Sequence, residues 1–457
     1  MVNPPDSLVF TTTPPSPLLA GHCFLDTVEA RRAGTPTPVA TDTTVGLTVS
    51  LTPPQGARFY SDAACTSSIT TTSIPAGAST ASFYVKPLSG VMMTLTASAP
   101  FGSAMQSFTP RPVVRRGFCS FNDPVTTDAG TTYDLSVDCS VSSPSHIDLT
   151  KTVVVSQASA ANNTAGALTV ACYPQNSGTI RCIRDNGAAD NTFITWQSVE
   201  LPSGLAVQRP RSTCGASPIT LTLSPAVNTD STFVFKATTS TGSSLDDDDT
   251  STVRLMSATQ ARIEHDGCDD YVTQFVELQG VTVTRGIVDA GFPAGADVVN
   301  LTNLPAASVN TAVLAQSWTA ANTVSNSCSL LLQATMPTPT SLNLSRHPTC
   351  TADAIHQVVW ERIDFGARAT VQTLTPTMPA GTTQMDVPIT PVDPTRTFAF
   401  SSAQIFGGQG NAIGLSTAEI DEFAIRLDTA NPNFVRLRRG DADEPATLTL
   451  FVVQIEP

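Results

Sequence analysis

Charge is scarce in this chain. Asp, Glu, Lys and Arg make up 14% of its 457 residues, against about a quarter in an average soluble protein. Only three lysines occur (Lys86, Lys151, Lys236) and the net charge is −14. Nucleic acid as a partner is thereby excluded, because it demands clustered Lys and Arg to displace counterions. Helical periodicity is scarce as well, and Ser416 to Ala424 is the one stretch expected to form a helical turn. No run of about 18 apolar residues exists to span a membrane. Met1-Val2-Asn3-Pro4-Pro5 has neither the basic nor the apolar region of a secretory leader, so the expectation is a leader already removed or another route of export.

The motifs of catalysis are missing too. Five histidines (His22, His146, His265, His347, His356) are scattered without H-E-x-x-H spacing, and there is no G-x-S-x-G elbow or P-loop. Gly407-Gly-Gln-Gly410 lacks the lysine and the strand-to-helix setting of a phosphate loop. Asp246 to Asp249 form a carboxylate run, but Ca²⁺ loops alternate carboxylates with Gly and carbonyls, so a solvated acidic loop is expected. Catalytic residues, cofactor and metal are all expected to be none.

What the chain does have is Thr, Ser, Ala, Val and Pro, which favour short strands and turns. The expected fold class is all-β, and 457 residues exceed what one core serves. Ten cysteines fall into local pairs: Cys23 and Cys65, Cys119 and Cys139, Cys172 and Cys182, Cys214 and Cys268, Cys328 and Cys350. None has the C-x-x-C spacing of zinc or redox sites. Sequential pairing would place each bridge inside one domain and implies an oxidising compartment; buried free thiols are the alternative.

Residues 1–113 read as regularly spaced strands separated by Pro and Gly turns, as in a sandwich. The order Phe59-Tyr60-Ser61-Asp62, Ile74-Pro75-Ala76-Gly77 and Ala81-Ser82-Phe83-Tyr84 resembles bacterial Ig-like (Big-type) domains of secreted and surface proteins. The resemblance covers about a quarter of the chain and implies a spacer or adhesion module. Cys23 with Cys65 would then join its two sheets or pin a loop across them.

The rest repeats. A polar turn running into a β-branched strand occurs as Ile147-Asp-Leu-Thr-Lys-Thr-Val-Val-Val155 and Val227-Asn-Thr-Asp-Ser-Thr-Phe-Val-Phe235. It returns as Val309-Asn-Thr-Ala-Val-Leu314 and Val392-Asp-Pro-Thr-Arg-Thr-Phe-Ala-Phe400. A hairpin follows each time, then a closing strand: Thr195 to Leu201, Val272 to Leu278, Val359 to Phe365 and Leu448 to Ile455. Four tandem β-sandwich modules are expected, over residues 114–204, 205–280, 281–366 and 367–457. In the closing strand Val199 and Leu201 share one face, as do Val276 and Leu278, Ile363 and Phe365, Val453 and Ile455. That face is expected to be core, with Trp196 or Trp360 on a mixed opposite face that packs against neighbours or symmetry mates. Module size, hairpin and closing strand resemble repeat proteins of bacterial surfaces and, distantly, H-type lectin-like sandwiches. Those are six-stranded modules that often trimerise and bind sugars.

The candidate contacts follow from the repeat. Arg184, His265, Arg346 with His347, and Arg438 with Arg439 sit at matching hairpin ends. They read either as a solvated turn or as repeated anion or glycan contacts. Trp196 and Trp360 recur at one position and read as packing between modules or as stacking platforms. Trp318 stands outside the closing strand and is the better candidate for an exposed contact. The expected function is a non-enzymatic extracellular or cell-surface structural or adhesive protein that self-associates as a homo-oligomer or fibre. A phage-like particle component in the virion and a carbohydrate-binding lectin of surface glycans are the alternatives.

Overall fold

The computed structural model describes residues 3–456 except 16–17, 19, 21–22, 51–55, 89–91, 111–112, 122–124, 128–129, 133–135, 142–146, 161–169, 177, 185–191, 202–203, 213–216, 240–250, 266–270, 290, 319–331, 347–353, 403–422, 429–430 and 440–444. The described residues are all-β, in two compact units, Met1–Val113 and Val114–Ile455. The expected helical turn at Ser416, the acidic run and the Gly-rich stretch at Gly407 lie outside the described residues.

The first unit is an Ig-like sandwich. One sheet orders Ser7–Phe10, Phe24–Arg32, Thr80–Pro87, Ala57–Tyr60 and Ser68–Ile69, with Thr35–Pro36 added beside Phe24–Arg32. The facing sheet orders Gly102–Phe108, Met93–Ala99, Thr43–Val49 and Thr71–Ile74. Alternation does the sorting: Val28, Ala30, Val45, Leu47, Phe83, Val85, Leu95 and Ala97 point inward into one core. The Ile74-Pro-Ala-Gly77 turn closes by the Ala78 amide donating to the Pro75 carbonyl at 2.9 Å, with Gly77 at φ 80°, a conformation that glycine adopts without steric cost. The Cys23–Cys65 bond does not join the two sheets. Cys23 precedes Phe24–Arg32 and Cys65 follows Ala57–Tyr60, and both strands flank Thr80–Pro87 in the same sheet. The bond therefore ties a loop within one sheet.

The second unit contains four sandwiches of one topology. In each, the first, sixth and third strands form a sheet, called here the inner sheet, with the closing strand in its middle. The second, fifth and fourth form the outer sheet. The inner sheets are Val114–Phe121, Thr192–Glu200 and Thr152–Ala160; Leu205–Gln208 with Arg211–Ser212, Tyr271–Leu278 and Thr232–Thr238; Thr282–Val288, Gln357–Asp364 and Thr311–Trp318; and Ala369–Leu374, Thr449–Ile455 and Thr397–Ser402. The outer sheets are Ser136–Ser140, Thr179–Ile183 and Ala171–Asn176; Ile219–Thr222, Gln260–His265 and Ser251–Ser257; Val298–Leu301, Leu342–Ser345 and Gln333–Thr335; and Gln384–Pro388, Phe434–Arg438 and Ala424–Leu427. We number the modules one to four in chain order.

Two hydrogen bonds recur in all four modules and account for the repeated blocks. The hydroxyls of Thr152, Thr232, Thr311 and Thr397, all fully buried, donate to the carbonyls of Asp148, Asn228, Ser308 and Asp393 at 2.7–2.8 Å. The backbone amides of those same four turn residues donate to Glu200, Glu277, Asp364 and Gln454 of the closing strand, at 3.3, 3.2, 2.7 and 2.7 Å. A buried hydroxyl must find an acceptor, so the threonine and its turn recur in every module.

The closing strand is oriented opposite to the expectation. Ile194 and Trp196 lie in the core of module one, Phe275 in that of module two, and Leu450 and Val452 in that of module four. Val199, Val276 and Val453 are buried outside those cores, on the other face. The closing strand has both faces covered, so a period of two could not say which face was inside. Trp196 and Trp360 each lie over a glycine on the adjacent first strand: a Cβ at Gly117 would fall 2.3 Å from Trp196 Cζ2, and one at Gly286 2.5 Å from Trp360 Cζ2. Module four puts Leu374 opposite Leu450 at the same rung.

Candidate functional site

What covers the second face of each closing strand is the neighbouring module. Strand Ala171–Asn176 of module one packs on Tyr271–Leu278 of module two, and Ser251–Ser257 of module two on Gln357–Asp364 of module three. Gln333–Thr335 of module three packs on Thr449–Ile455 of module four, and Ala424–Leu427 of module four on Thr192–Glu200 of module one. The fourth contact returns to the first module, so the four form a closed ring with approximate fourfold repetition.

Three junctions carry a matching polar clamp. Gln274 of module two accepts from the Val154 amide at 2.9 Å and donates to the Val154 carbonyl at 2.5 Å. Gln197 of module one does the same to Ala399 of module four, at 3.0 and 2.6 Å. Glu361 of module three accepts from the Val234 amide of module two at 2.7 Å. Beside each stands an arginine from the first strand, reaching the turn before the third strand of the neighbour. Arg116 donates to the Pro394 carbonyl at 2.6 Å and to the Thr397 carbonyl. Arg285 donates to the Thr229 carbonyl at 2.6 Å and to the Thr232 carbonyl, and Arg209 donates to the Leu149 carbonyl. Burial pushes the guanidinium pKa of Arg116 and of Arg209 down to about 10, Asp393 opposing this at Arg116. Both remain charged at neutral pH. The junction of module four on module three departs from the pattern, with Thr373 opposite Phe451 at the clamp positions. Phe400 packs on Phe451 at 5.4 Å and meets Phe235 of module two edge-on at 5.5 Å, so modules two and four touch across the ring.

The hairpin-end cations are not a solvated turn. Arg184, His265, Arg346 and Arg439 are buried, at 1–3% exposure. Arg346 donates through Nε to Ala296 (2.8 Å) and through Nη2 to Pro293 (3.1 Å); Arg439 donates likewise to Thr382 and Pro379, both at 2.8 Å. Each clasps a Pro-Ala-Gly turn ahead of its second strand, which accounts for the arginine in modules three and four. Arg184 lies 4.4 Å over the Phe121 ring, and the His265 backbone amide donates to Ser217 Oγ at 3.2 Å. Trp318 ends its strand opposite Gln357, and its side chain lies outside the described residues. His347, Cys214, Cys268, Cys328 and Cys350 also lie outside them. Cys119–Cys139 and Cys172–Cys182 are bonded, with Cys139 and Cys182 sulfurs 3.9 Å apart in the core of module one.

Arg438 is the exception, exposed and 4.8 Å over the Phe193 ring of module one. Phe193 stacks on Phe118 at 5.8 Å with planes 22° apart, and Arg426 lies 5.9 Å over Phe118. Phe118, 63% exposed, was not singled out from sequence because the first strand of module one has no repeated aromatic there.

No protein-family model and no curated protein matches the chain. Among solved structures, a collagen adhesin (CNA) from S. aureus is similar over 44% of this chain and 83% of its own length, at 8% identity and a TM-score of 0.15.

Proposed function

We propose that this chain is a non-enzymatic extracellular structural protein of adhesive type, in which a ring of modules over residues 114–204, 205–280, 281–366 and 367–457 displays four unlike outer faces. The observation that carries the reading is the polar clamp at three junctions, which commits the second face of the closing strands to holding the ring. Binding is then left to the outer sheets and loops, and these are where the modules differ. The same rung reads Asp138, Arg181 and Tyr173 in module one and Thr220, Arg262 and Arg254 in module two. In modules three and four it reads Asn300, Asn343 and Thr335, then Asp386, Arg436 and Arg426. A shared frame with divergent faces suits several contacts made by one rigid body. The disulfides support an oxidising compartment outside the cytosol. The face of each closing strand that turns away from its own module's core meets a module of the same chain, so the ring needs no second copy. The test is light scattering with thiol counting on protein taken from the cell exterior. The expected result is a 47.8 kDa monomer with no titratable thiol after unfolding without reductant. A cytosolic pool with ten free thiols would overturn the reading.

A further inference from the structure

We infer that the junction of modules four and one forms a binding site for an acidic, carboxylate-bearing oligosaccharide, built from Phe118 and Phe193 of module one and Arg426 and Arg438 of module four. The inference rests on the reading of the chain as an extracellular display scaffold and adds a site and a ligand class to it.

On the solvent face of the outer sheet of module four, two adjacent rungs read Gln384, Arg438, Ala424 and Asp386, Arg436, Arg426 across the three strands. Three guanidiniums share this face with one carboxylate, in a chain of net charge −14. Asp386 is committed to Arg436, accepting from Nε at 2.7 Å and Nη2 at 2.8 Å, and Asp428 also attracts Arg436 from the strand end. Arg426 and Arg438 instead lie against aromatic faces, a placement that keeps the guanidinium fork oriented and its edge donors turned to solvent. In the other modules Arg181 is held by Asp138 at 2.7 Å, Arg262 by Glu264 at 2.6 Å with Arg254 beside it on the same rung, and module three has asparagines there. Among the described strand residues, module four thus places three arginines on this face, against one in module one, two in module two and none in module three.

The aromatic pair supplies the second half. Phe118 and Phe193 form a stacked platform, and Phe118 is the one aromatic among the exposed large hydrophobics of the described residues. An exposed Phe on a strand face offers stacking to a ligand that brings its own flat C–H face, as a pyranose does. Two planar cations beside it match ionised carboxylates on successive sugars. A neutral sugar would leave the arginines unused, and an acidic peptide would leave the ring face unused. The two halves come from modules at opposite ends of the repeat, so the site exists because the ring closes.

The experiment is a titration of the full chain with hexagalacturonate, with cellohexaose and hexaglutamate as comparisons, by calorimetry at low and high salt. The expected result is binding of hexagalacturonate alone, weakened by salt, with each of Phe118→Ala, Arg426→Gln and Arg438→Gln costing about tenfold in affinity. All three side chains are at the surface, and matching thermal melts confirm that the variants fold. Lack of binding up to millimolar ligand, equal binding of hexaglutamate or cellohexaose, or undiminished affinity in the Phe118 variant would each overturn the inference. Cell location and thiol count are not read by this titration, so failure of the site and failure of the scaffold reading are told apart.

Discussion

Asp26 is the residue most at odds with its surroundings. It points into the sandwich core between Phe24 and Val28, with no exposed surface, and among the described residues only the Thr27 amide donates to it, at 2.9 Å. Burial pushes its pKa up to about 7 from an ordinary 3.8, the Thr27 amide opposing this. The folded form therefore holds a proton that the unfolded chain has released, and stability contributed by this group is full below about pH 4 and falls as pH rises through 7. At about 1.4 kcal/mol per pH unit the loss reaches a few kcal/mol. In calorimetric scans the transition of the first unit is expected to move down between pH 4.5 and 7.5 by several degrees. Asp26→Asn is expected to hold that transition level, so an unchanged slope in the variant would refute the assignment. Nothing in the period-two pattern of Phe24-Leu-Asp-Thr-Val28 marks this aspartate as inward except its register with Phe24 and Val28, a signal legible in hindsight only.

At the scale of the element, the closing strands can be compared with one another. Gln197 and Gln274 each donate and accept, whereas Glu361 in the same place only accepts from Val234, its second oxygen taking Arg285 Nε at 3.1 Å. Burial raises the Glu361 pKa, with Arg285 and the Val234 amide opposing. The folded pKa lies above the unfolded one, so this carboxyl stabilises most at low pH and contributes less as pH rises. Glu361→Gln supplies the missing donor for the Val234 carbonyl and removes a buried charge. It is expected to raise stability by about 1 kcal/mol at pH 8 and to change little at pH 4, as read by urea unfolding at both values. A loss at pH 8 would show that the Arg285 pairing outweighs the amide clamp. The closing strand also shows where sequence reasoning ends. Its existence and approximate span in each module followed from Thr195 to Leu201 and its copies. Which face was inside did not, because Trp196 and Val199 are both buried and only the neighbouring module distinguishes them.

For the whole molecule the decisive fact is that module one grips module four. The all-β fold, the Ig-like unit and the repeat were legible, since turn chemistry and alternation are local. Closure was not, because Gln197 and Ala399 are 202 positions apart and neither residue type announces a long-range partner. Gln197→Ala combined with Arg116→Ala removes the closing clamp while leaving the Trp196 core of module one untouched. The expected result is a larger radius of gyration by solution scattering and faster amide exchange in Ala399 and its neighbours, with the spectrum of β structure retained. An unchanged radius would mean that apolar contact alone, as at Phe451, suffices to close a junction.

Closure also sets an arithmetic that an open array escapes. A solenoid can gain or lose a copy and remain a solenoid, because each unit answers only to its neighbours. Here the last copy answers to the first, so a fifth module would have no place and a missing one would leave two binding edges bare. Evolution of this chain by unequal exchange between its own repeats is therefore barred by geometry. A fixed count of four leaves substitution on the outer faces as the change that closure tolerates.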